Sequence, residues 1–406
     1  MLDVFLGTKL VGRITRDEKT AIVSFVVGDV YAEDFERPVL GQQFEERRHK
    51  RIFRRAAHPG QLPTFFANLL PEGALEEMIK AQLATSDASE MLAFLGQDLP
   101  GAVSVRQGRH EVAPSEGEVF NEPQVDHPAE THELRFSLAG VQLKFSAVRA
   151  EDSRFTLPFS GLGGRWILKF GSTRYPELPE NEYFTMQWAQ RCGLSVPHHE
   201  LVPASTINAL DPRLTALGTN VFAIQRYDRR EDGTRVHQED FAQVFGQPPE
   251  LKYKGASLEH LARFVGDLCG PEDRDEFLRR TLFLLLSGNT DGHLKNWSLI
   301  YPDGRHARLS PAYDFVCVRQ YLPKDQLALT FAKETAPERI DWSHIRRVDK
   351  YLRNMGHDVD FVGLARTFVT KCQDEWAAHR RDVSPSYRAC VEEHMARIPL
   401  LNEPGA

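Results

Sequence analysis

The stretch that most constrains this chain is residues 285–315, LLSGNTDGHLKNWSLIYPDGRHARLSPAYDF. It begins as the apolar end of a helical pattern and breaks at Ser287-Gly288-Asn289. A polar loop follows, carrying Asp291, His293, Lys295 and Asn296. Two short strand-like pieces come next, and Asp314 sits behind Tyr313. Any fold for this chain must bury a helix that is apolar nearly all round by its end, and must deliver Asp291 in the loop after it. Loops rich in Asp and Asn are commonly no more than turns. This one also has the spacing that phosphoryl transfer requires. One Asp accepts or orients a hydroxyl proton, an Asn five residues on holds a metal ion, and a later Asp holds the metal that bridges nucleotide phosphates.

A chain of 406 residues is long enough for two or three domains with their own cores. The net charge of −7 removes any global electrostatic case for nucleic-acid binding. Cys192, Cys269, Cys317, Cys372 and Cys390 are scattered without CxxC or metal-ligand spacing, which predicts reduced thiols in a cytoplasmic protein. The N-terminal MLDVFLGTKLVGRI is too short and interrupted for a signal peptide, and the most apolar run, Thr281 to Leu286, is far too short to span a bilayer. The expectation is a soluble cytoplasmic protein without a membrane role.

Residues 1–30 read as three short strands of an antiparallel sheet, with Leu2, Val4 and Leu6 alternating and a turn at Asp17 to Lys19. QQFEERRHKRIFRR, residues 42–55, is a basic cluster: a solvated face, or a contact for a partner or DNA backbone. In LPTFFANLLPEGALEEMIKAQL, residues 62–83, Pro71 suits the first turn of a helix. Residues 108–131 are polar and Pro/Glu-rich, a surface loop or linker. RFSLAGVQLKFSAV, residues 135–148, has two β-prone pieces around Ala139-Gly140-Val141-Gln142, either a plain hairpin or a loop whose backbone amides face phosphates. RWILKF, residues 165–170, reads as a buried strand with one outlier, Lys169. That lysine either snorkels to water at a strand end or needs an anionic partner such as nucleotide phosphates. A helix spans about 179–192. Glu182 near its start either pairs with Lys169 or complements the helix dipole. VFAIQRYDR, residues 221–229, is another buried strand, and from 256 onward the periodicity is helical.

Taken together, these segments resemble the HipA family, the serine/threonine kinase toxins of bacterial type II toxin–antitoxin modules. VFLGTKLVGRI, RPVLGQQF and FFANLLPEG carry the likeness in the first hundred residues. FSLAGVQLKFSAV, WILKF, NEYF, IQRYDR, QEDFAQVFG and GNTDGHLKN…PAYDF continue it in order. The resemblance implies an α+β, two-lobed protein-kinase-like fold with a small β-rich N-terminal subdomain (1–107), an ATP-binding lobe (108–235) and a helical C-terminal lobe (236–406). It implies Asp291 as the catalytic aspartate and Asn296 and Asp314 as magnesium ligands. Lys169 becomes the phosphate-binding lysine, and Lys295 is placed to neutralise the transferred phosphoryl group. Leu138, Ala139, Gly140, Val141, Gln142 and Leu143 would cover the phosphates, with Lys144 next. Gln225 and Tyr227 would flank adenine, where relatives usually carry Glu and Phe. His293 either faces the cofactor or holds the loop in shape. Ser137 matches the family's autophosphorylated serine. ATP and Mg2+ are the implied cofactors, an aminoacyl-tRNA synthetase the implied substrate, and a HipB-like helix-turn-helix antitoxin the implied partner, with DNA met only through it. Two other readings stand beside this one. A catalytically quiet co-repressor subunit would not need Lys169, Asp291, Asn296 and Asp314 together. A small-molecule phosphotransferase would have no reason to carry FSLAGVQ or FFANLLPEG.

Overall fold

The structure is a computed structural model that describes residues 1–45, 52–56, 58–108, 118–121, 142–150, 153–157 and 164–402. Its first sheet has six strands: β1 (Leu2–Leu6), β2 (Lys9–Arg16), β3 (Val23–Val27), β4 (Ile52–Arg55), β5 (Val103–Gln107) and β6 (Glu118–Asn121), in the order β5-β1-β2-β3-β4-β6. Period-two alternation turns Leu2, Val4 and Leu6 inward, as it does Val23, Phe25 and Val27. The buried faces meet Phe44, Phe65 and Phe66. Gly12 on β2 is required by packing, since a Cβ there would lie 2.3 Å from the Val26 carbonyl oxygen. Within the expected linker at 108–131, β6 pairs in parallel with β4, so this sheet extends beyond residue 107. A four-residue edge strand joins through backbone pairing and needs no apolar run to announce it. The helix expected from Pro71 starts later, at Ala74, and runs to Leu83. Gly73, at φ 63°, turns the chain first, in the left-handed region where a side chain is strained.

The second sheet contains β7 (Lys144–Arg149), β8 (Phe155–Thr156), β9 (Trp166–Lys169), β10 (His199–Pro203), β11 (Ile207–Asn208) and β12 (Asn220–Gln225), ordered β10-β12-β9-β7-β8-β11. The helix Leu178–Arg191 starts with Pro179 in its first turn and packs Met186, Trp188 and Ala189 into the main core. A third, small sheet joins β13 (His237–Asp240), β14 (Ser298–Tyr301) and β15 (Arg308–Leu309). The helices Leu258–Cys269, Pro271–Ser287, Trp342–Asn354, Phe361–His379 and Pro385–Met395 complete the C-terminal lobe. Pro271–Ser287 is the buried centrepiece: from Phe277 to Ser287 only Arg279 is not buried. Among the described residues, no helix is long and apolar enough to cross a membrane. All five cysteines are free thiols.

Candidate functional site

The site assembles where the C-terminal end of the Pro271–Ser287 helix meets the second sheet. Gly288 caps that helix at φ 70°, and its N–H donates back to the Leu284 carbonyl. This left-handed cap turns the chain sharply. Asn289 then takes the Asp291 N–H on its Oδ1 (3.2 Å) and donates to the Asp314 carbonyl (3.3 Å). Asp291 thus sits at a fixed point of a short loop, with its Oδ1 accepting the Tyr253 hydroxyl at 2.9 Å. Burial pushes the Asp291 carboxyl up to about 7, against the opposing pull of that hydroxyl and of Lys252.

Lys169 ends β9, opposite Lys144 on β7 and Phe222 on β12. Its ammonium donates to Glu182 Oε1 at 2.5 Å and to Asp314 Oδ1. Of the two sequence-level options for Glu182, the geometry therefore selects pairing with Lys169. Burial works against the Lys169 charge, but Asp314 and Glu182 outweigh it and raise the pKa. Burial likewise opposes ionisation of Asp314, yet Lys169 and Lys144 hold that carboxyl well below the usual carboxylate range. Burial raises the Glu182 carboxyl, against the pull of the Lys169 ammonium that it pairs with. Asp314 has φ 57°, a left-handed backbone rare outside glycine. Its Oδ2 lies 3.4 Å from Asn296 Nδ2.

One cavity is lined by Gln142, Lys144, Lys169, Glu182, Asn289, Asp291, Asn296 and Asp314, with Leu178, Val316 and Val318 on its apolar side. Gln142 Nε2 is buried there without a hydrogen-bond partner, as is Glu182 Oε2. Such groups are costly unless a ligand or solvent satisfies them.

Other sequence candidates lie elsewhere. The Leu143 carbonyl is tied to the Phe170 N–H (2.9 Å) and Leu143 does not line the cavity. Gln225 and Tyr227, expected beside adenine, do not line it either. The Tyr227 hydroxyl is drawn to Ser298 and Ser310, and its ring lies 5.9 Å from that of Tyr313. His293, expected to face the cofactor or shape the loop, does not line the cavity. It is 2% exposed and its ring meets Tyr253 edge-on at 5.2 Å. Its backbone N–H donates to Asn296 Oδ1 at 3.1 Å. Burial lowers the His293 pKa to about 3, which keeps the ring neutral. Lys295 does not line the cavity: its ammonium donates to the Asn68 carbonyl (2.9 Å) and Oδ1 (3.2 Å) and pairs with Glu72 (3.2 Å). Ser137, Leu138, Ala139, Gly140 and Val141 lie outside the described residues, as do Arg47, Arg48, Lys50 and Arg51 of the basic cluster. Sequence reasoning missed Tyr253 and Asn289. Asn289 stands inside the GNTDG run and was open to notice. Tyr253 lies 38 residues from its partner, with no motif to mark it.

Residues 2–106 match the HipA N-terminal domain and residues 136–378 the HipA-like C-terminal domain. The chain belongs to the HipA family. It is 35% identical to Y4dM of Sinorhizobium fredii, over 99% of this chain and 98% of that protein. It is 27% identical to the serine/threonine-protein kinase toxin HipA of Shewanella oneidensis, over 76% of this chain and 73% of the toxin. Among solved structures, the Shewanella oneidensis complex of HipA, HipB and operator DNA superposes with TM-score 0.73, at 20% identity, over 98% of this chain and 96% of that one. The fold is therefore the α+β HipA-like kinase fold. In this HipA-family chain, the ion-paired lysine, the loop aspartate and the Asn296–Asp314 pair come from three separated segments of sequence and meet in one cavity.

Proposed function

We propose that this chain is an ATP-dependent serine/threonine-protein kinase acting as the toxin of a type II toxin–antitoxin pair. The observation that carries the reading is the convergence of Lys169, Asp291, Asn296 and Asp314 on one cavity. Lys169 and Lys144 supply positive charge for nucleotide phosphates. Asp314, held ionised, is an oxygen donor suited to magnesium, and Asn296 would add its Oδ1, which accepts the His293 backbone N–H, through its second lone pair. Among the described residues, no cluster of three or more His, Cys, Asp or Glu could hold a metal unaided. Magnesium at phosphate sites uses one or two protein oxygens and completes its shell from water and phosphate, so the donor set fits. When bound, the ion would neutralise charge on the phosphate oxygens. Asp291 is the group that takes or orients the proton of the attacking hydroxyl, and a carboxyl near 7 is matched to work at neutral pH.

The substrate we propose, on the family resemblance, is an aminoacyl-tRNA synthetase, and the partner a HipB-like antitoxin that carries the DNA contacts. Ser137 is the proposed site of autophosphorylation. A phosphoserine beside a phosphate-binding loop adds roughly −1.5 to −2 charges and would repel nucleotide. Mass spectrometry after incubation with ATP and magnesium should find one phosphate on Ser137, with nucleotide binding lost.

The main test is transfer of labelled phosphate from ATP into a cell lysate. A labelled protein band is expected with the native chain, and none with Asp291→Gln. Full transfer by Asp291→Gln would remove the assignment of the loop. Label confined to small molecules would favour a small-molecule phosphotransferase. ATP binding without any transfer would favour a quiet co-repressor.

A further inference from the structure

FFANLLPEG, one of the strongest sequence features, lies outside the nucleotide cavity. Its residues belong to the first unit of the chain, yet two of its side chains reach the catalytic loop. Asn68 is buried at the end of the Thr64–Ala67 turn. Its Nδ2 donates to the Thr64 carbonyl (2.9 Å) and to the Gln247 carbonyl (2.8 Å), which fixes the amide orientation. The carbonyl and Oδ1 of Asn68 then both receive the Lys295 ammonium. Four residues on, Glu72 spans two lysines. Its Oε2 lies 2.5 Å from Lys252 Nζ and its Oε1 3.2 Å from Lys295 Nζ. Burial opposes ionisation of Glu72, but Lys295 and Lys252 bring its carboxyl down to about 2.

These two lysines bracket the chemistry. Lys295 stands between Asp291 and Asn296 in the loop itself. The Lys252 carbonyl accepts the Leu294 N–H (3.1 Å), and the adjacent Tyr253 donates to Asp291. Glu72 is therefore joined to both walls of the loop, and each wall is one residue or one hydrogen bond from a group that lines the cavity.

We infer that Glu72, with Asn68, is a positioning residue. The N-terminal subdomain supplies the anion that locks the catalytic loop through Lys295 and Lys252, so an intact first unit is a condition of catalysis. The inference rests on the kinase reading for its activity test. It also assigns Lys295 an anchoring role, because that ammonium is bound to the subdomain and does not line the cavity.

The experiment compares Glu72→Gln, Lys295→Met and the double variant. Three quantities are measured: phosphotransfer turnover, affinity for magnesium-ATP by calorimetry, and hydrogen exchange of the peptide covering 288–297 without nucleotide. Misplacing a catalytic group by an ångström can cost on the order of 100-fold, so Glu72→Gln should lower kcat by about tenfold or more. ATP affinity should stay within about twofold, because Lys169 and Asp314 are untouched, and residues 288–297 should exchange faster. The double variant should be no worse than the poorer single one, as expected for groups acting as a unit. Glu72→Asp keeps the charge but cannot span both lysines, and should recover part of the loss. Wild-type kcat in Glu72→Gln, or multiplying effects in the double variant, overturns the inference. If Glu72→Gln does not fold, Lys252→Met cuts one arm alone, and normal turnover with normal loop protection in that variant is equally fatal. A native chain that transfers no phosphate defeats the kinase reading instead, and loop exchange in Glu72→Gln still decides the inference.

Discussion

At the scale of single residues, the site is a set of carboxyls with opposite fates. Asp314 is held ionised by lysines, while Asp291, half-buried in the cavity wall beside a tyrosine hydroxyl, is raised to about 7. The stability consequence has a definite sign. An unfolded Asp titrates near 4, so between about pH 4 and 7 the folded protein holds a proton at Asp291 that the unfolded chain has released. Stability therefore falls as pH rises through this window, and above about pH 7 the full cost of a buried carboxylate is present. Asp291→Asn removes that cost. Its melting temperature should match the native chain near pH 4 and exceed it above pH 7, where the difference is on the order of 3–4 kcal/mol at most. Calorimetric melts at several pH values check this, and a constant offset across pH would contradict it. In the native chain, transfer activity should fall as pH drops below about 7, as the base becomes protonated.

At the scale of elements, the helix Pro271–Ser287 and its glycine cap aim the loop. A Cβ on Gly288 would sit 3.1 Å from Arg319 Cγ and 3.3 Å from Cys317 Sγ, on a backbone at φ 70°. Gly288→Ala should cost about 1–2 kcal/mol from the left-handed backbone alone, with reduced turnover because Asn289 and Asp291 follow directly. Urea denaturation and a kinetic assay check both effects. This helix was legible in the sequence because its periodicity, its apolar end and its glycine stop agree. Lys169 was legible for a related reason: one charge in an apolar strand demands a partner. The partners themselves were less so. Asp314 lies 145 residues from Lys169, and nothing in either segment states that they touch. Strand β6 and the late start of the helix Ala74–Leu83 escaped because edge pairing and a glycine turn leave little periodic signal. His293 and Lys295 were assigned by their place in the loop, but side chains one and two residues apart point in different directions, and proximity in sequence does not give access to the cavity.

At the scale of the whole molecule, the first unit is bound to the rest by buried charge. Its loop carries Asp98, whose Oδ1 accepts from Arg226 Nη1 (2.9 Å) and Arg229 Nη2 (3.2 Å). Asp228 answers from the other side: it pairs with both arginines and takes the Gly101 N–H at 2.8 Å. Arg229 also donates to the Gly101 and Leu99 carbonyls, each at 2.9 Å. All three residues of this group, Arg226, Asp228 and Arg229, are at most 8% exposed. They lie in IQRYDR, where sequence reasoning looked for adenine contacts. Burial opposes ionisation of Asp228, but the two arginines hold its carboxyl below its ordinary value. A depressed carboxyl contributes stability at pH values above its unfolded pKa, near 4, and that contribution is lost as pH falls through the folded value. Removing one member of a buried charge group leaves the others uncompensated, at a cost of about 3–5 kcal/mol. Asp228→Asn keeps the shape and deletes the charge. At pH 7 it should lower the unfolding free energy by about that amount, and the gap to the native chain should narrow in acid. Since the same first unit carries Glu72, loosening its attachment should also raise hydrogen exchange in residues 288–297. Urea titrations at pH 7 and below pH 4 measure the first effect, and exchange at that peptide the second. Equal stabilities at pH 7 would mean that these buried arginines do not depend on Asp228, and unchanged exchange would mean that the loop is held without help from this interface.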